Sequence, residues 1–111
     1  MALSETTSPS SLLDELGNLR KRSPNLYSHG LTHLFTGRDL DGETAGLAYM
    51  DSLCNQRFGV GLSEARRFSW WTESLIAAHE IGHNFGAPHD GEANKACAGT
   101  PPDRFLMAPR I

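Results

Sequence analysis

The 111-residue sequence predicts a small α/β domain, and three observations carry that prediction. An apolar stripe (Leu12, Leu13, Leu16 and Leu19) repeats at helical spacing. Short runs at residues 31–35, 44–51 and around Phe58, Val60 and Leu62 have strand patterning between polar turns, enough for a small sheet. A second helical segment runs from Ser69 to about Phe85 and is stopped by Gly86.

Residues 1–11 are polar, rich in Ser and Thr and without periodicity, and are expected to be a disordered lead-in to a domain spanning 12–111. Ser11 followed by Asp14 fits a helix start, and Pro24 prevents the helix from continuing. Arg20, Lys21 and Arg22 then fall in its last turn, where cations suit the helix dipole, and are expected to be a solvated helix end rather than a recognition patch. His29 and His33 are four apart, but in a strand that spacing separates them by about 13 Å, so they are expected to be framework residues and not a metal pair.

Residues 37–46 read as a polar loop turning at Asp41-Gly42. Asp39 and Asp41 are too few oxygen ligands for a calcium site on their own. The next run is the edge strand, with the strand containing Val60 and Leu62 behind it. In the second helix Ser69 is the expected cap, and Leu75, Ile76 and Ala78 supply packing. Gly82 permits a close approach, and Trp70 and Trp71 are expected to pack rather than to stack on a substrate. Residues 91–103 form an irregular loop, and no internal repeat is visible.

Within this framework one stretch carries chemistry. Residues 79–89 read His-Glu-Ile-Gly-His-Asn-Phe-Gly-Ala-Pro-His, the pattern H-E-x-x-H-x-x-G-x-x-H. With this composition about one chain in ten thousand would match by chance. His79 and His83 lie one turn apart on one helix face, so both imidazoles can reach one metal ion. Gly86 can adopt the left-handed conformation that closes a helix, which lets the chain turn and return His89 as a third ligand. Three protein ligands with one open position is the arrangement of catalytic rather than structural zinc. Glu80, beside the ligands without being one, is then placed to act as a general base on water activated by Zn²⁺.

The stretch His79-Glu-Ile-Gly-His-Asn-Phe-Gly-Ala-Pro-His-Asp90 resembles the extended zinc signature of the adamalysin (reprolysin, ADAM-type) branch of the metzincin metalloproteases. Phe105-Leu-Met-Ala-Pro109 is similar to the Met-turn of that branch, and residues 31–54 resemble its buried strand, loop and edge strand. No Tyr follows Met107, unlike astacin- and serralysin-type sequences, and matrixins usually carry Ser or Thr where Asp90 stands. The resemblance implies a zincin-like α/β fold, with a small mixed sheet whose edge strand is antiparallel, an active-site helix and a Met-turn, and a zinc-dependent endopeptidase acting on proteins or peptides. It implies that Met107 lies beneath the imidazoles, with Gly86 and Asp90 supporting the site. It also implies that Gly46, Leu47, Ala48 and Tyr49 pair with an extended substrate by strand addition.

Cys54 and Cys97 are disulfide candidates by the same resemblance, either with each other or with partners elsewhere; spacing does not decide. Some members bind calcium near the Asp39–Asp41 loop. Initial strand–helix–strand elements and a segment after the Met-turn are expected in the branch and are not found here, so the chain reads as the middle and active-site portion of a catalytic domain. A secreted or extracellular location is implied by resemblance, although Met1 to Ser11 has no apolar core of the signal-peptide kind.

Composition sets the outer limits. At 39% apolar and 21% charged the chain is clear of the disordered class. A net charge of −3 gives no attraction to nucleic acid or anionic membranes. No apolar run approaches the ~20 residues of a membrane helix, and a monomer is expected. The alternatives to an active protease are a non-catalytic zinc or interaction module on the same scaffold, and an inactive fragment.

Overall fold

The computed structural model describes residues 3–65 and 69–109. Met1, Ala2, Arg110 and Ile111 lie outside them, as do residues 66–68. The element order is α1 (Pro9–Arg22), α2 (Pro24–Tyr27), β1 (Thr32–Thr36), β2 (Gly46–Ala48), β3 (Val60–Glu64) and α3 (Trp70–Asn84).

Helix α1 starts earlier than Ser11. Ser8 is the cap, its hydroxyl accepting from the Ser11 amide, and Pro9 occupies the first helical position. Proline suits that position because its φ is already helical and its missing N–H would have had no partner. The first turn therefore lies inside the stretch read as a lead-in, and Ser4 is tied to the Glu15 carboxylate through both its amide and its hydroxyl, each at 2.7 Å. Leu12, Leu13 and Leu16 are buried, whereas Leu19 is only half-buried. Pro24 ends α1 and opens the single turn of α2, which the sequence reading did not anticipate.

Arg20 corrects the expectation of a solvated helix end. It is fully buried. Its guanidinium donates to the carbonyls of Asn55 (3.0 Å), Leu26 (2.9 Å) and His29 (2.8 Å) and to the Thr32 hydroxyl (3.0 Å). Lys21 and Arg22 are exposed as expected. Arg20 thus ties the end of α1 to the approach to β1 and to the turn before β3.

The three strands form one sheet in the order β1-β3-β2. β1 runs parallel to β3, pairing Thr32 with Val60 through Thr36 with Glu64, and β2 runs antiparallel to β3, pairing Gly46 with Ser63 and Ala48 with Gly61. Side chains alternate between faces. Val60 and Leu62 join Leu12, Leu13, Leu16 and Leu40 in one buried cluster, so α1 covers that face. Gly61 and Ser63 point the other way, and Gly61 lies against Asn84 of α3. Small residues there let the second helix sit close. His33 lies on this face too, its Nε2 2.9 Å from the Ser63 hydroxyl, which makes it a framework residue; His29 is exposed.

Edge strand β2 is shorter than residues 44–51. Beyond Ala48 the main chain is claimed by α3: Asp51 N–H donates to the His83 carbonyl (2.9 Å), and Ser52 and Leu53 N–H donate to that of Asn84 (2.8 and 3.1 Å). Tyr49 accordingly leaves the strand, and its ring packs edge-to-face on Phe58 at 4.9 Å.

Helix α3 is capped by Ser69 as expected. Trp70 and Trp71 are exposed, at 73% and 62%, and contact each other rather than the core. They stand in the first turn, and burial begins only at Ile76. Leu75 is exposed as well, and Ala77 rather than Ala78 is the small residue fully packed beside Ile76. Cys54 is exposed, Cys97 is half-buried and both are free thiols, so no disulfide joins them.

Candidate active site

The site is assembled at the end of α3. His79, Glu80 and His83 lie on its last turns. Phe85 is the C-cap, and Gly86 follows with φ +100°, a conformation that costs glycine little. Gly86 N–H bonds to the His83 carbonyl (2.9 Å) and Ala87 N–H to the Gly82 carbonyl (3.0 Å), the paired bonds of a Schellman closure. The chain reverses there and brings His89 back to the other two rings.

The three imidazoles converge through Nε2. His89 Nε2 lies 3.2 Å from His79 Nε2 and 3.1 Å from His83 Nε2. Tetrahedral zinc with N ligands at about 2.0–2.1 Å requires separations of about 3.3 Å, so the triad fits the ion. The tautomers agree. His79 Nδ1 lies 2.7 Å from the Leu106 carbonyl and His83 Nδ1 2.8 Å from that of Ala87. A carbonyl only accepts, so each Nδ1 carries the proton and each Nε2 presents a lone pair. Lone pairs facing one another repel, and a cation between them removes the conflict. Burial pulls the His83 imidazole below its ordinary value, which favours the neutral, ligating form. Among the described residues no other cluster of three or more His, Cys, Asp or Glu side chains converges in this way. Asp39 and Asp41 belong to none, and Asp41 instead accepts a hydrogen bond from Thr7 (2.7 Å).

Leu106 and Met107 contact the helix of the triad and the chain just after His89. The Leu106 carbonyl orients His79. Met107 packs against Gly82, where an added Cβ would lie 2.6 Å from the Met107 sulfur and would push that side chain aside. The Met107 carbonyl accepts from the buried Asp90 amide (2.8 Å), which fixes the chain directly after His89.

Glu80 is 6% exposed, and burial pushes its carboxyl up to about 7. It shares a cleft of about 850 Å³ with the three His, and one wall of that cleft is Gly46, Leu47 and Ala48 of β2. Tyr49 is not in the wall. Its carbonyl is taken up internally by the Ser52 hydroxyl (3.0 Å) and the Asn84 amide (3.1 Å), which removes it from the set of edge-strand residues open to a ligand.

Asn84 was not singled out by the sequence reading. It is fully buried, and its side-chain amide reaches two segments, the turn after β2 (Tyr49 and Ser52) and the start of β3 (Val60). The available signal was its position, four residues after Glu80 and eight after Ile76, which puts an amide on the inward face of the helix.

A model of the Reprolysin_5 group, described as Metallo-peptidase family M12, matches residues 3–111. The match spans nearly the whole sequence and includes every residue of the triad and its supports. No helix among the described residues is long and apolar enough to cross a membrane. The geometry fits a metal of zinc's ligand preferences and the match supplies the lineage: the chain belongs to metallo-peptidase family M12, as a zinc-dependent metalloendopeptidase of the reprolysin group.

Proposed function

We propose that the protein cleaves peptide bonds within extended segments of other proteins, with Glu80 as general base and residues 46–48 as the substrate-binding edge. The observation that carries this reading is the shared cleft: three convergent imidazoles, a buried carboxylate and a strand edge face the same space. His79, His83 and His89 would hold the zinc, which when bound supplies a Lewis acid that acidifies water and polarises a carbonyl.

The chain's own residues do the rest. Glu80 accepts a proton from the attacking water as its oxygen bonds to the scissile carbonyl carbon. The C–N bond then breaks, and Glu80 delivers that proton to the departing amine. A buried carboxylate facing the three imidazoles is placed to take and return that proton. Main-chain groups of Gly46, Leu47 and Ala48 align the peptide as an added strand, with side-chain pockets setting preference. Family membership supports an extracellular location and peptide or protein substrates, and a monomer suffices for every step.

The test is Glu80→Ala. Turnover of a peptide library should fall by about 10² to 10⁴ while one zinc per chain is retained. Near-normal activity in that variant would refute the role of Glu80. For the unaltered chain, zinc binding without chelator-sensitive cleavage would select a non-catalytic module, and neither zinc nor cleavage an inactive fragment.

A further inference from the structure

We infer that Asn84 is a positioning residue for substrate: it fixes the edge strand that receives the peptide at a set distance and angle from the helix that carries the metal ligands. The inference rests on the reading of residues 46–48 as the substrate edge.

Asn84 directly follows His83 and is fully buried. Its Nδ2 lies 3.1 Å from the Tyr49 carbonyl, 3.0 Å from the Ser52 hydroxyl and 2.9 Å from the Val60 carbonyl. Tyr49 is the first residue after β2, and Val60 is the first of β3. One amide therefore joins the end of the edge strand, the central strand and the ligand-bearing helix. Its main chain takes part as well, because the Asn84 carbonyl accepts from Ser52 and Leu53 and the neighbouring His83 carbonyl accepts from Asp51. These bonds satisfy carbonyls that a helix end leaves open, and they hold Asp51 at φ +49°, a conformation unfavourable for a non-glycine residue.

The chemistry specifies an amide with this orientation. All three partners of Nδ2 are oxygens, so a carboxylate or a flipped amide would set oxygen against oxygen. Meanwhile Oδ1 is buried without a hydrogen-bond partner, an expensive arrangement. The side chain gives up satisfaction of its acceptor to keep its donors on the strand. β2 itself has three paired residues, too short to hold its own angle once that tether is cut. Arg20 supplies the contrast. It too is a fully buried polar hub, but its partners (Asn55, Leu26, His29 and Thr32) lie outside the cleft wall.

A positioning role and a merely structural one differ in what they do to long and short peptides. The probes are a fluorescein-labelled ten-residue alanine–leucine peptide, long enough to lie along β2, and its four-residue core. Affinities are measured on the zinc-loaded chain in the Glu80→Ala background, where no turnover is needed. Asn84→Ala should weaken the long peptide about tenfold and the short one less than about twofold, at unchanged zinc content. Ser52→Ala removes one tether and keeps the fold less perturbed; it should weaken the long peptide about threefold. Arg20→Met should lower the melting temperature without changing the long-to-short ratio. Equal weakening of both peptides, a ratio that moves only in Arg20→Met, or failure of the parent chain to bind the long peptide would overturn the inference. Absence of cleavage by the unaltered chain, with the ratio still sensitive to Asn84, would instead overturn the catalytic reading alone.

Discussion

Gly46 lies against the carboxylate of Glu80: a Cβ added to Gly46 would stand 2.9 Å from Glu80 Oε2, 2.9 Å from its Cγ and 2.9 Å from the Leu62 carbonyl. The edge strand and Glu80 are thus in direct packing contact, and one hydrogen in place of a methyl group sets their separation. Gly46→Ala must displace either Glu80 or β2. The expected result is a fall in kcat of at least about tenfold with zinc content unchanged. Steady-state kinetics with metal analysis on the same sample checks it, and an unaltered kcat would show that the contact is incidental.

The pH dependence of the metal-free fold isolates the burial of Glu80. Its carboxyl rises from an ordinary 4.5 to about 7 in the folded chain, so the folded state prefers the protonated form. The associated stability is complete below about pH 4.5 and is lost as pH rises through about 7, to a total of about 3 kcal/mol. His83 works the other way. Burial favours its neutral ring, so its contribution grows as pH rises toward its ordinary value of 6.5. Glu80→Gln removes the first effect and keeps the second. Thermal unfolding of both metal-free chains between about pH 5 and about pH 8 should show the variant gaining on the parent up to about pH 7 and levelling off above it. A constant difference would contradict the account.

Arg20 predicts a stability effect remote from the cleft. Replacing it by Met leaves three carbonyls and a hydroxyl without their donor in a buried setting. A loss of about 3–5 kcal/mol is expected, moderated by whatever water the loops admit. Denaturant unfolding of the zinc-loaded variant measures it. A loss under about 1 kcal/mol would mean that these carbonyls find other partners easily.

The zinc site was legible because its chemistry is local. His79, His83, Gly86 and His89 are linked by helix geometry and one glycine turn, so spacing alone brings the rings together. The sheet was legible in kind but not in extent. The inward pattern of residues 44–51 suggests a longer strand, and only the capping of α3 by residues 51–53 shows why it ends at Ala48. Arg20 was misread for a related reason. A cation in a last helical turn fits the dipole rule, and its burial depends on carbonyls from residues 26, 29 and 55 that local sequence does not bring together. Trp70 and Trp71 were expected to pack, but they stand in the first turn of α3 and its buried stretch starts only at Ile76. Asn84 carried a signal in its place on the inward face of the helix, but its partners come from β3 and from the turn that follows β2, and nothing in its neighbours announces them.

The most direct measurement is the zinc content and affinity of the purified chain beside His79→Ala, His83→Ala and His89→Ala, with folding monitored by circular dichroism. One chelatable zinc per chain is expected, with affinity lowered at least about a hundredfold in each variant. A folded parent chain that binds no zinc, or variants that bind it as tightly as the parent, would contradict the account.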